Sequence, residues 1–169
     1  LCGCSLESIM DFDRAFDILM THEGGFTNRP FSDDPGGTTM YGETERVARS
    51  NGYVLPMKDM PLQVAKDIYK KQYWDVCQCD AIPDALRYPM FDAAVNSGTS
   101  QAIKWLQSAI GVKADGVLGP VTRQSVNMSS QQVVKQQILG KRLRFMTELN
   151  NWSANARGWS RRIAAILEM

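Results

Sequence analysis

An apolar stripe with helical spacing near the start of the chain ends at two consecutive glycines. Spacings of three and four residues place five residues on one helix face: Phe12, Phe16, Leu19, Met20 and Glu23. Gly24-Gly25 then ends the helix, because glycine adopts the left-handed conformation of a C-cap without steric cost. We therefore predict a first helix over residues 11–23, with Asp11 or Asp13 as its cap.

Glu23 continues the apolar stripe instead of joining the polar face of this helix. A carboxyl group in a partly apolar site keeps its proton to higher pH, which is the property that a general acid needs. The alternative is a surface Glu in the last helical turn, since Glu is rarely buried without a partner. For His22, the single histidine of the sequence, we expect a structural or tuning role rather than that of a general base.

A long polar loop follows the first helix, over residues 24–43. Its turn signals include Asp33-Asp34-Pro35-Gly36-Gly37, and strand potential is confined to short pieces such as 38–41. A loop of about twenty residues is unusual in a compact domain unless it is functional. Its polar groups suit a cleft: Arg29, Asp33, Asp34, Thr38, Thr39 and Tyr41.

The rest of the chain reads as a series of helices. Apolar spacing, glycines and prolines predict them over residues 44–50, 61–74, 84–88, 90–96, 100–110, 120–126, 130–150 and 155–167. Pro89 separates the third from the fourth, and Thr99 and Ser129 are expected to cap later helices. The predicted fold class is mainly α, with a small polar loop or β-hairpin region after the first helix.

Composition restricts the class of protein. The chain has 169 residues, 44% hydrophobic and 22% charged, with a net charge of +1, which suits one domain or one domain with a small subdomain. This balance does not favour nucleic acid as a partner, and no apolar run predicts stable membrane insertion. We expect a monomer. The first residues show no intact signal peptide; we expect residues 1–9 to be an N-terminal extension or a processing remnant, with Met10 as a candidate natural start.

Four cysteines form two C-x-C pairs, Cys2/Cys4 and Cys77/Cys79. This spacing is not the usual spacing of a zinc site, so we predict no metal, and nothing in the sequence calls for another cofactor. Disulfides between the pairs and free thiols both remain open.

The combination of Glu23 with Asp33 and Asp34, ten and eleven residues later, has the composition of a glycosidase site. One carboxylic acid protonates the leaving oxygen, while a second carboxylate stabilises the oxocarbenium-like transition state or positions water. A separation of about 6.5–9.5 Å between the two carboxyl groups favours inversion and about 5–5.5 Å favours retention; both routes remain open.

These motifs resemble glycoside hydrolase family 108, the peptidoglycan N-acetylmuramidases that include phage endolysins and bacterial secretion-associated lysozyme-like proteins. The resemblance rests on Glu23-Gly24-Gly25-Phe26, on the run from Asp34 to Gly42 and on Tyr73-Trp74. The segments 91–98 and 115–120 resemble the predicted peptidoglycan-binding region that accompanies this family. Met40 and Glu43 depart from the family pattern, which has Asn and Ile at these positions.

The resemblance implies a lysozyme-like helical fold and hydrolysis of the β-1,4 bond between N-acetylmuramic acid and N-acetylglucosamine in peptidoglycan glycan strands. It implies catalytic roles for Glu23, Asp34 and Thr39. Substrate-binding roles are expected for Asp33, Tyr41, Glu43, Asp92 and Asn96. The implied division is a muramidase region over 10–97 and a peptidoglycan-binding-like region over 98–169. The protein is expected to be made in the cytoplasm and to act in the periplasm or cell wall. The alternatives are a lytic transglycosylase and a non-catalytic cell-wall-binding or secretion accessory module.

Several residues allow two interpretations. Asp92 and Asn96 share a helix face, and they line the sugar groove or form a buried hydrogen-bonded pair beneath it. Four aromatic residues have two possible roles, stacking on sugar rings or packing in the core, and the core is the commoner location for aromatic side chains. These residues are Tyr41, Tyr73, Trp74 and Trp105. The basic residues of the C-terminal region are interpreted as a solvated face: Lys141, Arg142, Arg144, Arg157, Arg161 and Arg162.

Overall fold

A computed structural model of the chain describes residues 9–22 and 39–169, and helices dominate this part. The helices are α1 (Phe12–Met20), α2 (Glu45–Ser50), α3 (Leu62–Tyr69), α4 (Asp84–Ser97), α5 (Thr99–Ala109), α6 (Pro120–Met128), α7 (Gln131–Thr147) and α8 (Trp152–Glu168). Strands β1 (Thr39–Met40) and β2 (Glu43–Thr44) pair antiparallel. The predicted mainly α class, with a small hairpin region after the first helix, is confirmed.

The first helix follows the predicted stripe. The side chain of Asp11 accepts a hydrogen bond from the Arg14 amide at 2.9 Å, so Asp11 is the cap. Phe16 and Leu19 are buried, as the helical spacing predicts. The helix ends at Met20 and passes into a turn that reaches residue 22. The last predicted helical residue, at position 23, lies outside the described residues.

Helix α4 corrects the prediction of two short helices separated at Pro89. It runs without a break from Asp84 to Ser97, with Pro89 inside it. Proline removes one backbone hydrogen bond and crowds the preceding turn, which disfavours it within a helix. The flanking residues Tyr88, Met90 and Phe91 are all buried, and we attribute the continuity of the helix to this packing. Tertiary contacts therefore override the local signal.

Two predicted caps are also wrong by a residue. Thr99 is the first residue of α5, preceded by Gly98 with a φ of 86°, a conformation that favours glycine. Ser129 follows the end of α6 and its hydroxyl donates to the Ser125 carbonyl, while Ser130 precedes α7. These are shifts at helix ends, where sequence signals are least exact.

One hydrophobic core joins the first helix to the last. Most of its buried residues come from α1, α4, α5, α7 and α8, and α4 is the most deeply buried of these helices. A smaller cluster, formed by α2, α3 and the segment 53–60, lies beside the hairpin. Within the described residues, none of the helices has the length and apolar character needed to span a membrane.

Candidate active site

The starts of helices α1 and α4 lie side by side. At their start, the Met10 amide donates to Asp84 Oδ1 at 2.7 Å and Arg87 donates to the Met10 carbonyl at 3.2 Å. The ring of Phe12, the first residue of α1, has its centroid 5.9 Å from that of Phe91, in the middle of α4. The first turn of α1 is therefore packed against α4.

Three of the predicted site residues, Glu23, Asp33 and Asp34, lie outside the described residues. Two others belong to the hairpin strands, where Thr39 pairs with Thr44 and Glu43 pairs with Met40. The hairpin thus brings the backbone of positions 39 and 43 to neighbouring places on one short sheet.

Tyr41 lies in the two-residue turn of this hairpin. Tyr41 has a φ of 52° and Gly42 a φ of 78°, which is the arrangement of a tight hairpin turn. The left-handed conformation costs a non-glycine residue about 1 kcal/mol. The Tyr69 hydroxyl donates to the Tyr41 carbonyl at 3.0 Å. The turn is therefore attached to α3, and this contact helps to offset the backbone strain at Tyr41.

The four candidate aromatic residues divide into two groups. Trp74 has no exposed surface and Trp105 is 6% exposed, so the interpretation of these two as core residues is confirmed. Tyr41 and Tyr73 are half-buried. Trp74 ends a π-helical segment, Lys70–Trp74, that continues α3.

Asp92 is buried in an ion cluster that joins three helices. Arg142 of α7 donates to Asp92 Oδ2 at 2.5 Å, and Nε of Arg162 of α8 donates to Oδ1 at 2.8 Å. The Tyr88 hydroxyl lies 3.3 Å from Oδ1 and donates to it. Neither Asp92 nor Arg142 has exposed side-chain surface. This burial leaves Asp92 no surface for direct contact with a sugar.

Asn96 does not form the predicted side-chain pair with Asp92. Its Nδ2 donates to the main-chain carbonyl of Asp92 at 2.8 Å, and Asn96 itself is exposed. The carboxylate of Asp92 pairs instead with arginines that lie 50 and 70 residues later in the chain. The two residues therefore have different roles, one inside the fold and one at its surface.

The arginines determine the charge state of this cluster. Burial alone would raise the pKa of the Asp92 carboxyl, but Arg142 and then Arg162 lower it more, so the pKa lies below its ordinary value. Burial, together with the negative charge of Asp92, raises the pKa of the Tyr88 hydroxyl, which stays neutral. The cluster thus holds one carboxylate and two guanidiniums, an excess of one positive charge.

A groove of about 320 Å³ lies at the C-terminal end of α4. Three helices line it, and the lining residues are Asn96, Ser97, Phe145, Met146, Leu149 and Trp159. Each of the three helices contributes at least one lining residue that lies three or four positions, about one helical turn, from its member of the ion cluster. The ion cluster therefore fixes the relative positions of the helix turns that form the groove.

The interpretation of the C-terminal basic residues as a solvated face is wrong for Arg142 and Arg162. Arg142 is fully buried and the Arg162 side chain is 11% exposed, whereas Arg144, Arg157 and Arg161 are exposed. One signal was available, because position 142 follows Ile138 by four residues on the apolar stripe of α7. Nothing in the sequence indicated that Asp92 was the partner.

The described residues contain no group of three or more His, Cys, Asp or Glu side chains arranged to hold a metal ion. Cys77 and Cys79 are buried free thiols.

The comparisons with known proteins identify both halves of the chain. The glycosyl hydrolase 108 family model matches residues 16–98, and the predicted peptidoglycan domain model matches residues 101–164. Among curated proteins, none matches the sequence.

A solved structure of SagA from Brucella abortus is similar to this one, with a TM-score of 0.83 and 29% sequence identity. The similarity covers 93% of this chain and 91% of the SagA chain. The expected lysozyme-like helical fold is confirmed. The chain therefore combines a glycosyl hydrolase 108 region with a predicted peptidoglycan region, which identifies it as a peptidoglycan-degrading N-acetylmuramidase.

Proposed function

We propose that Glu23 is the general acid that protonates the glycosidic oxygen between N-acetylmuramic acid and N-acetylglucosamine. The observation that carries this proposal is the burial of α1 through Leu19, which has no exposed surface. Position 23 is four residues later, the next position on the same face of the sequence pattern. A carboxyl group that continues an apolar stripe of the sequence is expected to keep its proton to higher pH, as a general acid requires.

Asp34 is proposed as the second catalytic carboxylate, with Asp33 beside it, and Thr39 and Tyr41 as residues that orient water or sugar. The support is the hairpin, which holds the backbone of positions 39 and 43 on its two strands and position 41 in its turn. Attachment of this turn to α3 through Tyr69 gives it a defined place in the fold. Glu43 is proposed to contact substrate from the same hairpin.

The groove at the end of α4 is proposed to bind a sugar residue of the glycan strand. Phe145 and Trp159 supply aromatic surface, and Asn96 supplies an exposed amide that can pair with polar groups of an N-acetylated sugar. Small-molecule sites typically combine apolar and aromatic walls with few polar groups in this way. Asp92 is then a positioning residue beneath the groove rather than a substrate ligand.

We further propose that residues 10–97 supply the acid and the hairpin, while residues 98–169 supply two walls of the groove. The groove draws on α4 from the first region and on α7 and α8 from the second. The proposed enzyme acts as a monomer on glycan strands in the periplasm or cell wall, as an endolysin or as a secretion-linked muramidase.

The test is the purified Glu23→Gln variant, assayed on peptidoglycan beside Glu148→Gln, which removes an exposed carboxylate from the C-terminal region. Loss of a general acid is expected to lower the rate about 10²–10⁴-fold, while Glu148→Gln keeps the wild-type rate. Mass spectrometry of the products checks the reaction type, because hydrolysis leaves a reducing end and a lytic transglycosylase leaves an anhydro ring. Wild-type lysis by Glu23→Gln, or anhydro products, would contradict the proposal.

A further inference from the structure

Tyr69, the last residue of α3, contacts two parts of the molecule that the proposed site combines. The residue is 1% exposed, and its ring lies edge-on to the ring of Phe16 in α1, with 5.4 Å between the centroids. Its hydroxyl donates to the Tyr41 carbonyl at 3.0 Å, in the turn of the hairpin. One buried side chain thus connects the helix that leads to the proposed acid with the hairpin that carries the proposed substrate contacts.

Helix α3 is also held against α1 through a second residue on the same face. Lys66 forms an ion pair with Asp13 of α1 at 2.6 Å, and its ammonium lies 5.4 Å from the centroid of the Phe16 ring. Lys66 precedes Tyr69 by three residues, so both side chains lie on one face of α3. The Tyr69 ring is 6.3 Å from the ring of Phe91 in α4. These contacts fix the position of the Tyr69 hydroxyl relative to α1.

The hairpin has a strained turn at the place where Tyr69 reaches it. Tyr41 has a φ of 52°, in the left-handed region that is unfavourable for a residue other than glycine. Each strand has two residues, and a two-stranded hairpin is marginally stable at best without outside contacts. Met40 and Tyr41 pack against the smaller cluster, but such apolar contacts are non-directional. The hydrogen bond from Tyr69 is directional, so it orients the turn.

We propose that Tyr69 is a positioning residue that holds the hairpin at a fixed distance from the end of α1. Because Tyr69 is buried, it acts on the reaction only through the Tyr41 carbonyl. Catalytic groups need to be held to within about 0.5 Å of the productive geometry, and a displacement of about 1 Å lowers rates up to about a hundredfold. The inference rests on the proposed function for the roles of Glu23 and the hairpin, whereas the anchoring of the hairpin does not depend on them.

Tyr53 provides a matched control for Tyr69. It is 8% exposed, belongs to the smaller cluster, and its hydroxyl donates to the Pro56 carbonyl at 3.1 Å. Tyr69→Phe and Tyr53→Phe therefore each remove one hydrogen bond from a buried tyrosine to a main-chain carbonyl, and each keeps the ring. The bond from Tyr53 joins two residues of one connecting segment and does not reach the hairpin. A purely structural role of Tyr69 predicts the same behaviour of both variants.

The experiment compares both variants with the wild type in thermal unfolding, hydrogen exchange and steady-state kinetics on peptidoglycan fragments. We expect a similar fall in Tm of a few degrees in both. Only Tyr69→Phe is expected to show about tenfold faster exchange of the amides of residues 39–44 and about tenfold lower kcat, with KM within a factor of about two. In the Glu23→Gln background, Tyr69→Phe is expected to change the residual rate by less than about twofold, because no acid remains to be aligned.

A wild-type kcat for Tyr69→Phe would overturn the inference, and so would unchanged exchange of the hairpin amides. Equal losses of kcat in Tyr69→Phe and Tyr53→Phe, or the same fold loss in the Glu23→Gln background, would show a general loss of stability instead of positioning. The exchange comparison does not depend on which residue is the acid. Wild-type activity of Glu23→Gln would therefore contradict the proposed function and leave the anchoring result in place.

Discussion

Arg142 reaches the carboxylate of Asp92 at 2.5 Å across 50 residues of sequence, and neither side chain is exposed. Removal of one member of a buried ion pair leaves the other charge under-compensated. We expect Arg142→Met to lower the free energy of unfolding by about 3–5 kcal/mol, measured by denaturant titration. Arg144→Met, on the same helix but exposed, is the control and should change stability by less than about 0.5 kcal/mol. Equal stability of the two variants would refute a structural role for the cluster.

Because the pKa of Asp92 is lowered in the folded protein, the free energy of unfolding depends on pH. The unfolded carboxyl takes up a proton near the ordinary pKa of 3.8, whereas the folded carboxyl does so only at lower pH. The contribution of Asp92 is therefore fully present above the unfolded pKa and is lost as the pH falls through the folded value. We expect the wild type to lose stability more steeply than Asp92→Asn below about pH 4. Parallel slopes in pH-dependent unfolding would contradict this.

Trp159 is one of two aromatic residues, with Phe145, in the wall of the groove that Asn96 also lines. We expect Trp159→Ala to raise KM for soluble peptidoglycan fragments about tenfold, which corresponds to about 1.4 kcal/mol, with kcat within a factor of about two. Trp159→Phe keeps an aromatic face and should recover most of the affinity. Steady-state kinetics, with thermal unfolding to check the fold, test this. An unchanged KM for Trp159→Ala would exclude the groove from substrate binding.

Gly116 occupies a turn that other residues cannot enter without strain. Its φ is 80°, and an added Cβ would lie 2.5 Å from Ser100 Oγ and 3.3 Å from the Ser100 carbonyl oxygen. Gly116→Ala is therefore expected to destabilise the fold by about 1–3 kcal/mol. Gly140→Ala, within α7 and with open space around it, should instead stabilise by up to about 1 kcal/mol. Thermal unfolding of the two variants tests whether Gly116→Ala lowers the stability and Gly140→Ala raises it.

The buried thiols are expected to be chemically inert in the folded protein. Burial raises the pKa of Cys77 to about 12, and burial together with the nearby Cys77 raises the pKa of Cys79 well above its ordinary value. Alkylation needs the thiolate, so labelling of Cys77 and Cys79 at pH 8 should be at least about a hundredfold slower than in denaturant. A Cys2→Ser/Cys4→Ser background isolates these two sites for mass spectrometry. Rapid labelling of the folded protein would contradict this prediction, because it would show that the region around Cys77 and Cys79 opens to solvent.

The helical part of the fold could be predicted wherever one face of a helix is apolar. The stripe of α1 and its Asp11 cap are local features, and the structure confirms both. The continuous α4 could not be predicted, because the packing around Pro89 comes from distant parts of the chain. Local propensities describe the conformation that a residue prefers in isolation. Burial on several sides overrides that preference at Pro89.

The same difference between local and long-range features applies to the candidate site. The motifs around Glu23 and the hairpin are continuous in sequence and could be recognised from it. The groove at the end of α4 and the Asp92 ion cluster could not, because they join residues 50 and 70 positions apart. A charged residue on an apolar stripe, such as Arg142, is the one sequence signal that indicates a buried partner without naming it.

The hydrophobic core runs without interruption from α1 to α8, across the junction between the two matched regions. Replacement of either matched region by the corresponding region of another enzyme would cut through this core. A fragment ending near residue 98 would expose the buried face of α4 and leave the Asp92 carboxylate without either guanidinium. Chimeras of such enzymes therefore need to exchange the chain as one unit, or to append a binding module beyond its ends.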